Sequence, residues 1–113
     1  MKGEVILLNA LVMPSKSAVI FAHPISVEEA RKIVYRERAE GKEIKSFIGH
    51  PATAEILGNA LELEIPVNRG EYTPTTGDTV IVARLARRLE KPGDVDNITS
   101  EDLKLYEVVY RFT

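Results

Sequence analysis

The residues best suited to chemistry in this chain lie in the run Ser46-Phe47-Ile48-Gly49-His50-Pro51-Ala52-Thr53-Ala54. Proline fits the first position of a helix, so the run puts an imidazole where a strand hands over to a helix. The N–H groups that open a helix lack intrahelical partners and point at whatever anion occupies the junction. Histidine side chains titrate near neutrality, and one in contact with a phosphate can act as a general acid. The alternative is a residue that merely precedes a proline in an exposed loop. Two further features join it. Asn9 interrupts an apolar run over 4–12, and an amide at the end of a buried strand either bonds neighbouring backbone or turns towards a ligand. Arg84 and Arg88 are four residues apart and project together in a strand, and nearly so in a helix, with Arg87 turned elsewhere. Such a pair suits an anion clamp, the alternative being a solvated edge paired with Glu90 and Asp94.

Composition limits what these residues can do. A chain of 113 residues is one domain, small enough that a site can lie between two copies. There is no cysteine, hence no disulfide, thiolate nucleophile or thiolate metal cage. With only His23 and His50, a zinc site would need several carboxylates, so metal-free chemistry is the expectation. The N-terminus lacks the pattern of a signal peptide and no apolar stretch is long enough to span a bilayer, which leads to an expected cytoplasmic location. A formal charge of −2 suits a small, locally held nucleotide rather than a long nucleic acid bound by bulk electrostatics. The absence of cysteine and glutamine, with abundant Glu, Lys and Arg, leans towards a thermophilic source.

The elements that must position these groups change period in an α/β order. Residues 4–12 read as a strand buried on both faces, 13–16 as a loop and 17–22 as a second strand that His23-Pro24 closes. Ser26 and Glu29 form a capping box for a helix that runs to Gly41, with Val27, Ala30, Ile33 and Val34 inward, Glu37 or Arg38 at the next position of that spacing, and Glu28, Arg31, Lys32, Glu37 and Glu40 on a solvated face, so that Glu37 fits either side. Residues 44–48 make the strand that leads to His50. The helix from Pro51 buries Ala54, Ile56, Leu57 and Leu61, and Gly58 is expected to break or bend it. Residues 63–68 return as extended chain, a turn-rich segment follows, and 79–86 is a strand for the sheet interior because both of its faces are apolar. A short helical turn over 98–103 and a last strand over 105–112 complete a single α/β domain with a mixed central sheet flanked by helices. Tyr72 is either a packing anchor or a base-stacking residue, and Ser15-Lys16-Ser17 suits a lid.

Leu8-Asn9-Ala10, Ile48-Gly49-His50 with Thr53-Ala54, Val67-Asn68-Arg69, Gly77-Asp78 and Arg88-Leu89-Glu90 occur in an order and spacing that resembles the viral anti-CRISPR ring nucleases and their cellular relatives. The resemblance covers almost the whole chain. It implies a homodimeric α/β protein that binds cyclic tetra-adenylate, the second messenger of type III CRISPR defence, and cuts it. It makes His50 the catalytic acid and Asn9, Arg69 and Arg88 ligand contacts. Relatives carry an amide at the position of Arg84, and the acidic residue expected a few positions beyond Arg88 meets Lys91-Pro92, which leaves Glu90 as a shifted substitute. Arg84 and Glu90 complete the expected substrate-binding set.

The residues support a mechanism of their own. RNA carries its own nucleophile, the ribose 2′-hydroxyl, so a protein that aligns it with the adjacent phosphorus needs no metal. His50 would protonate the departing 5′-oxygen, giving linear di-adenylates ending in 2′,3′-cyclic phosphate. Two other readings remain open: a binding module that sequesters a cyclic nucleotide with His50 idle, and an interaction protein whose apolar surface only dimerises.

Overall fold

The structure, a computed structural model, describes residues 3–85 and 102–113. Its elements are β1 (Val5–Leu8), β2 (Ala18–Ile25), α1 (Val27–Ala39), β3 (Ile44–Phe47), α2 (Pro51–Leu61), β4 (Thr79–Leu85) and β5 (Leu103–Phe112). The strands form one sheet in the order β2-β5-β4-β1-β3. β1 lies between β3 and β4, parallel to both, and β5 runs antiparallel to β4 and β2. This is the compact α/β domain with a mixed sheet that the changing periods predict.

Both helices lie on one face of the sheet. There Ala30, Ile33 and Val34 of α1 and Ile56, Leu57 and Leu61 of α2 pack on Val5, Leu7, Ile81, Ala83, Leu103 and Leu105. Each of the fully buried aliphatic side chains contributes about 1.5–3 kcal/mol. The opposite face, Ile6, Leu8, Val80, Val82 and Val108, is covered in part by Tyr72 and by the half-buried Val12 and Phe47, with no helix among the described residues over it. The flanking expected of the helices is therefore one-sided.

Several expectations are corrected. The first strand stops at Leu8, where the chain leaves the sheet, and Leu11, expected within it, is 48% exposed. His23-Pro24 does not close the second strand but lies within it. The carbonyl of Ser17, just before β2, accepts from Thr113 N–H at 3.1 Å, so the backbone groups of Val19, Phe21 and His23 face β5 while those of Pro24 face the free edge, where a missing N–H costs no ladder bond. Gly58 does not break α2, which runs through it to Leu61. A Cβ at Gly58 would stand 2.7 Å from the Leu63 carbonyl, so the glycine admits the chain that turns back after the helix.

Of the two readings of Glu37 the inward one holds, and Arg38 is exposed. Its side chain is only 10% exposed and pairs with Lys42 at 2.8 Å and Arg36 at 3.1 Å. Lys42 Nζ also donates to Thr79 Oγ1 at 3.2 Å and the Gly77 carbonyl at 3.3 Å, which ties the end of α1 to the start of β4. Arg31 likewise turns inward and donates to the Ala60 carbonyl at 2.6 Å, joining α1 to the end of α2. The capping box holds: Glu29 N–H donates to Ser26 Oγ and Ser26 N–H to Glu29 Oε1. The expected interior strand ends at Leu85 and sits between β1 and β5. Residues 98–101 of the expected helical turn lie outside the described residues, and the last strand begins at Leu103.

Candidate functional site

The parallel strands β1, β3 and β4 all deliver their carboxyl ends to one edge of the domain, the side on which open α/β sheets bind ligands. Asn9 follows β1, Gly49 and His50 follow β3, and Arg84 is near the end of β4.

His50 is the N-cap of α2. Its backbone is extended (φ −104°, ψ 111°), as the following proline requires, and Pro51 takes the first helical position. The ring turns back over the first turn. Nδ1 stands 2.8 Å from Thr53 Oγ1 and accepts a long hydrogen bond, 3.4 Å, from Thr53 N–H. A nitrogen that accepts an amide proton carries none itself, so the neutral ring bears its proton on Nε2. In a doubly protonated ring Nδ1–H donates to the Thr53 hydroxyl instead, and buried Thr53, 3% exposed, orients the ring in either state.

This cap alters the expected anion site. Pro51 has no N–H, Thr53 N–H donates to the ring and Ala54 N–H to the His50 carbonyl at 3.1 Å. Of the first-turn amides, Ala52's alone is left outside the cap, so the helix start offers a phosphate an imidazole more than a cradle of backbone donors.

Arg69 is held against this junction. Its Nε donates to the Gly49 carbonyl at 3.3 Å, and a Cβ at Gly49 would stand 3.1 Å from its Cγ, so the glycine leaves room for the arginine stem. Asn68 positions the segment. Its N–H donates to the Ile48 carbonyl, its Nδ2 to the Ser46 carbonyl and its Oδ1 accepts from Gly70 N–H, each at 2.9 Å. The 63–68 stretch, expected as extended chain, is thus moored to the strand that carries His50.

Asn9 bonds neighbouring backbone and also borders a cavity. Its Oδ1 accepts from Gly49 N–H at 3.4 Å, and the side chain also lines a cavity of about 410 Å³. That cavity opens on the helix-free face, with Val82, Val108, Ala22 and Leu11 as an apolar floor and Arg84 and Tyr106 beside Asn9. An aliphatic and aromatic floor with an amide and a guanidinium suits a planar ligand with polar edges and a charge. Asn9, His50 and Arg69 are brought together through Gly49, and Arg84 joins them through the cavity. Arg88 and Glu90 lie outside the described residues.

Sequence reasoning missed the orienting parts. Thr53 and Asn68 were read only as motif letters, although a hydroxyl three residues after an N-cap is a signal for contact with the cap. Tyr106 carried no signal, because its strand reads as ordinary alternation. Tyr72 is the packing anchor and not a stacking platform. It is 8% exposed, its hydroxyl donates to Asp78 Oδ2 at 2.7 Å, and burial and that carboxylate push the phenol well above its usual range.

A five-stranded mixed sheet with both described helices on one face and a histidine-capped helix at the carboxyl ends of its parallel strands defines the class: a small single-domain α/β protein whose candidate site is a strand-to-helix junction. Residues 5–111 match the model of the STIV B116-like family, and the chain belongs to that family. It is 34% identical over 112 residues to uncharacterized protein 26 of Sulfolobus islandicus filamentous virus, covering 91% of this chain and 90% of that one. It is 36% identical over 85 residues to uncharacterized protein ORF117 of Acidianus two-tailed virus, covering 74% of this chain and 70% of the relative. Among solved structures it resembles B116 of Sulfolobus turreted icosahedral virus, with a TM-score of 0.72, 20% identity, and coverage of 94% and 98%, a likeness of fold. These relatives are proteins of archaeal viruses. No helix among the described residues is long and apolar enough to cross a membrane.

Proposed function

We propose that this protein is a metal-independent ring nuclease that cuts cyclic tetra-adenylate into linear di-adenylates ending in 2′,3′-cyclic phosphate. The observation that carries the reading is the His50 junction: an imidazole held through Nδ1 by Thr53, its other nitrogen free to meet a ligand, with Arg69 and Asn9 tied to the same glycine. In this reaction the 2′-hydroxyl oxygen attacks the adjacent phosphorus and loses its proton to water. The bond from phosphorus to the 5′-oxygen breaks, and His50 Nε2 hands a proton to that oxygen. Arg69 balances charge on the phosphorane, and Asn9 and Arg84 hold the adjoining nucleotide. Arg88 and Glu90 are ligand contacts by resemblance. A general acid of this kind contributes about 10²–10⁴-fold, so the enzyme is slow unless positioning supplies more.

A four-nucleotide ring exceeds what one open junction can surround. The active species is a homodimer with one ring across its twofold axis, each subunit lending one His50 to opposite phosphates. Kinship with archaeal viral proteins favours a viral inhibitor that works in the cytoplasm of the infected cell and clears the host's messenger.

One observation favours a second reading. His50 already serves as a helix cap, and a cap alone would suffice for a module that sequesters the ring without cutting it. Incubation of the protein with labelled cyclic tetra-adenylate in excess EDTA separates the readings. Cleavage supports the nuclease, retention of an intact ring supports sequestration, and neither defeats both.

A further inference from the structure

On the helix-free face, Arg84 of β4 lies directly opposite Lys104 of β5. Residues opposite one another in an antiparallel pair share a face, with Cβ atoms about 4.5–5.5 Å apart, and like charges there destabilise the sheet. Both side chains are exposed, and neither forms an ion pair with any carboxylate among the described residues. One step along the same face are Val82 and its partner Tyr106, and beyond Tyr106 on the other side is Pro24 of β2. Arg84, Val82 and Tyr106 all line the cavity that Asn9 rims. Two cations without a carboxylate partner among the described residues thus stand opposite each other, one of them lining an apolar slot.

We infer that Arg84 and Lys104 form a cross-strand clamp for a phosphate of the bound nucleotide, with the base or sugar of that nucleotide in the slot against Tyr106. The inference rests on the ring-nuclease reading for the identity of the nucleotide, but the clamp itself requires only a phosphate anion. Arg84 supplies a planar fork and Lys104 a compact charge, and an anion between them replaces repulsion by two charge-assisted contacts. Lys104 is a binding residue in this scheme, remote from the proton transfer at His50.

The juxtaposition makes an unusual demand of mutants. Lys104→Glu and Arg84→Glu each convert the repelling pair into an attracting one, so each raises the melting temperature of the ligand-free protein by about 1–4 °C. Each also removes half of the clamp and reverses its charge. The wild type gains thermal stability from inorganic pyrophosphate, both variants lose that gain, and both bind cyclic tetra-adenylate at least tenfold more weakly. Lys104→Met, with no new charge, loses affinity with a smaller rise in melting temperature. Lys32→Glu, on the exposed side of α1, changes neither quantity.

Pyrophosphate stabilisation and ring affinity at wild-type level in Lys104→Glu overturn the clamp, as does a ligand-free melting temperature that falls in both charge reversals. Ring binding that is indifferent to Lys104 removes the clamp and leaves the nuclease reading intact. Pyrophosphate binding that depends on Lys104, in a protein that ignores the ring, keeps the clamp and removes the nuclease reading. A wild type that binds neither anion defeats both.

Discussion

His50 has two tasks that substitutions can separate. Removing the ring takes away both an acid and a helix cap, and a lost cap alone costs about 1 kcal/mol of stability. His50→Asn keeps a cap acceptor. We therefore expect both His50→Ala and His50→Asn to slow single-turnover cleavage about 10²–10⁴-fold with ring affinity within a few-fold of wild type, while only the alanine variant melts earlier. Thr53→Val tests the positioning role. It leaves affinity unchanged, lowers the rate about tenfold and changes the pH–rate profile, because the ring loses the hydroxyl that accepts from its protonated Nδ1. An unchanged profile with an equally reduced rate would reduce Thr53 to a packing residue. At this scale the sequence was informative where chemistry is carried by a rare residue at a marked place, as with His50 before Pro51. It was silent where a common residue acts through geometry: nothing in the letters distinguishes the mooring role of Asn68 from any other loop amide.

Among the elements, the α1–β4 tie shows how far periodicity reaches. Helical spacing left Glu37 on either face, and the structure turns it inward, where Lys42, just past the helix, folds back to meet it. Its hydrogen bond to Lys42 holds the Glu37 carboxyl below the ordinary value near 4.5 against the opposing effect of burial, with Arg36 helping. A folded-state value below the unfolded one contributes stability that is present above about pH 4.5 and is lost as pH falls through the folded value. Lys42→Met leaves a nearly buried carboxylate without its main partner and should cost about 2–3 kcal/mol at neutral pH. The cost shrinks in acid as Glu37 is protonated, so denaturant unfolding at pH 7 and pH 4 checks it, and an equal cost at both would contradict the assignment. Other elements were legible for simple reasons. Apolar runs marked β4 as an interior strand, and Ser26 with Glu29 marked the start of α1. The reach of β2 through Pro24 was not, since only the sheet shows that this residue faces a free edge.

For the whole molecule, the one-sided helix layer matters most. Among the described residues it leaves the face with the Asn9–Arg84–Tyr106 cavity without a helix and the His50 junction at its edge, an arrangement open enough for a ligand shared between two copies. No sequence pattern could reveal that both helices take the same side, because an amphipathic helix specifies that it packs on a sheet and not on which face. We expect calorimetry to give one cyclic tetra-adenylate per two chains and specific activity to fall on dilution below the dimer dissociation constant. One ring per chain, or full activity in a monomer, would rule out the shared site. The central claim is the cut itself, and mass spectrometry of a single turnover in excess EDTA tests it most directly. We expect linear di-adenylate with a 2′,3′-cyclic phosphate and a 5′-hydroxyl from the wild type, and intact ring over the same interval from His50→Asn. Intact ring from the wild type, or the same products at the same rate from His50→Asn, would contradict it.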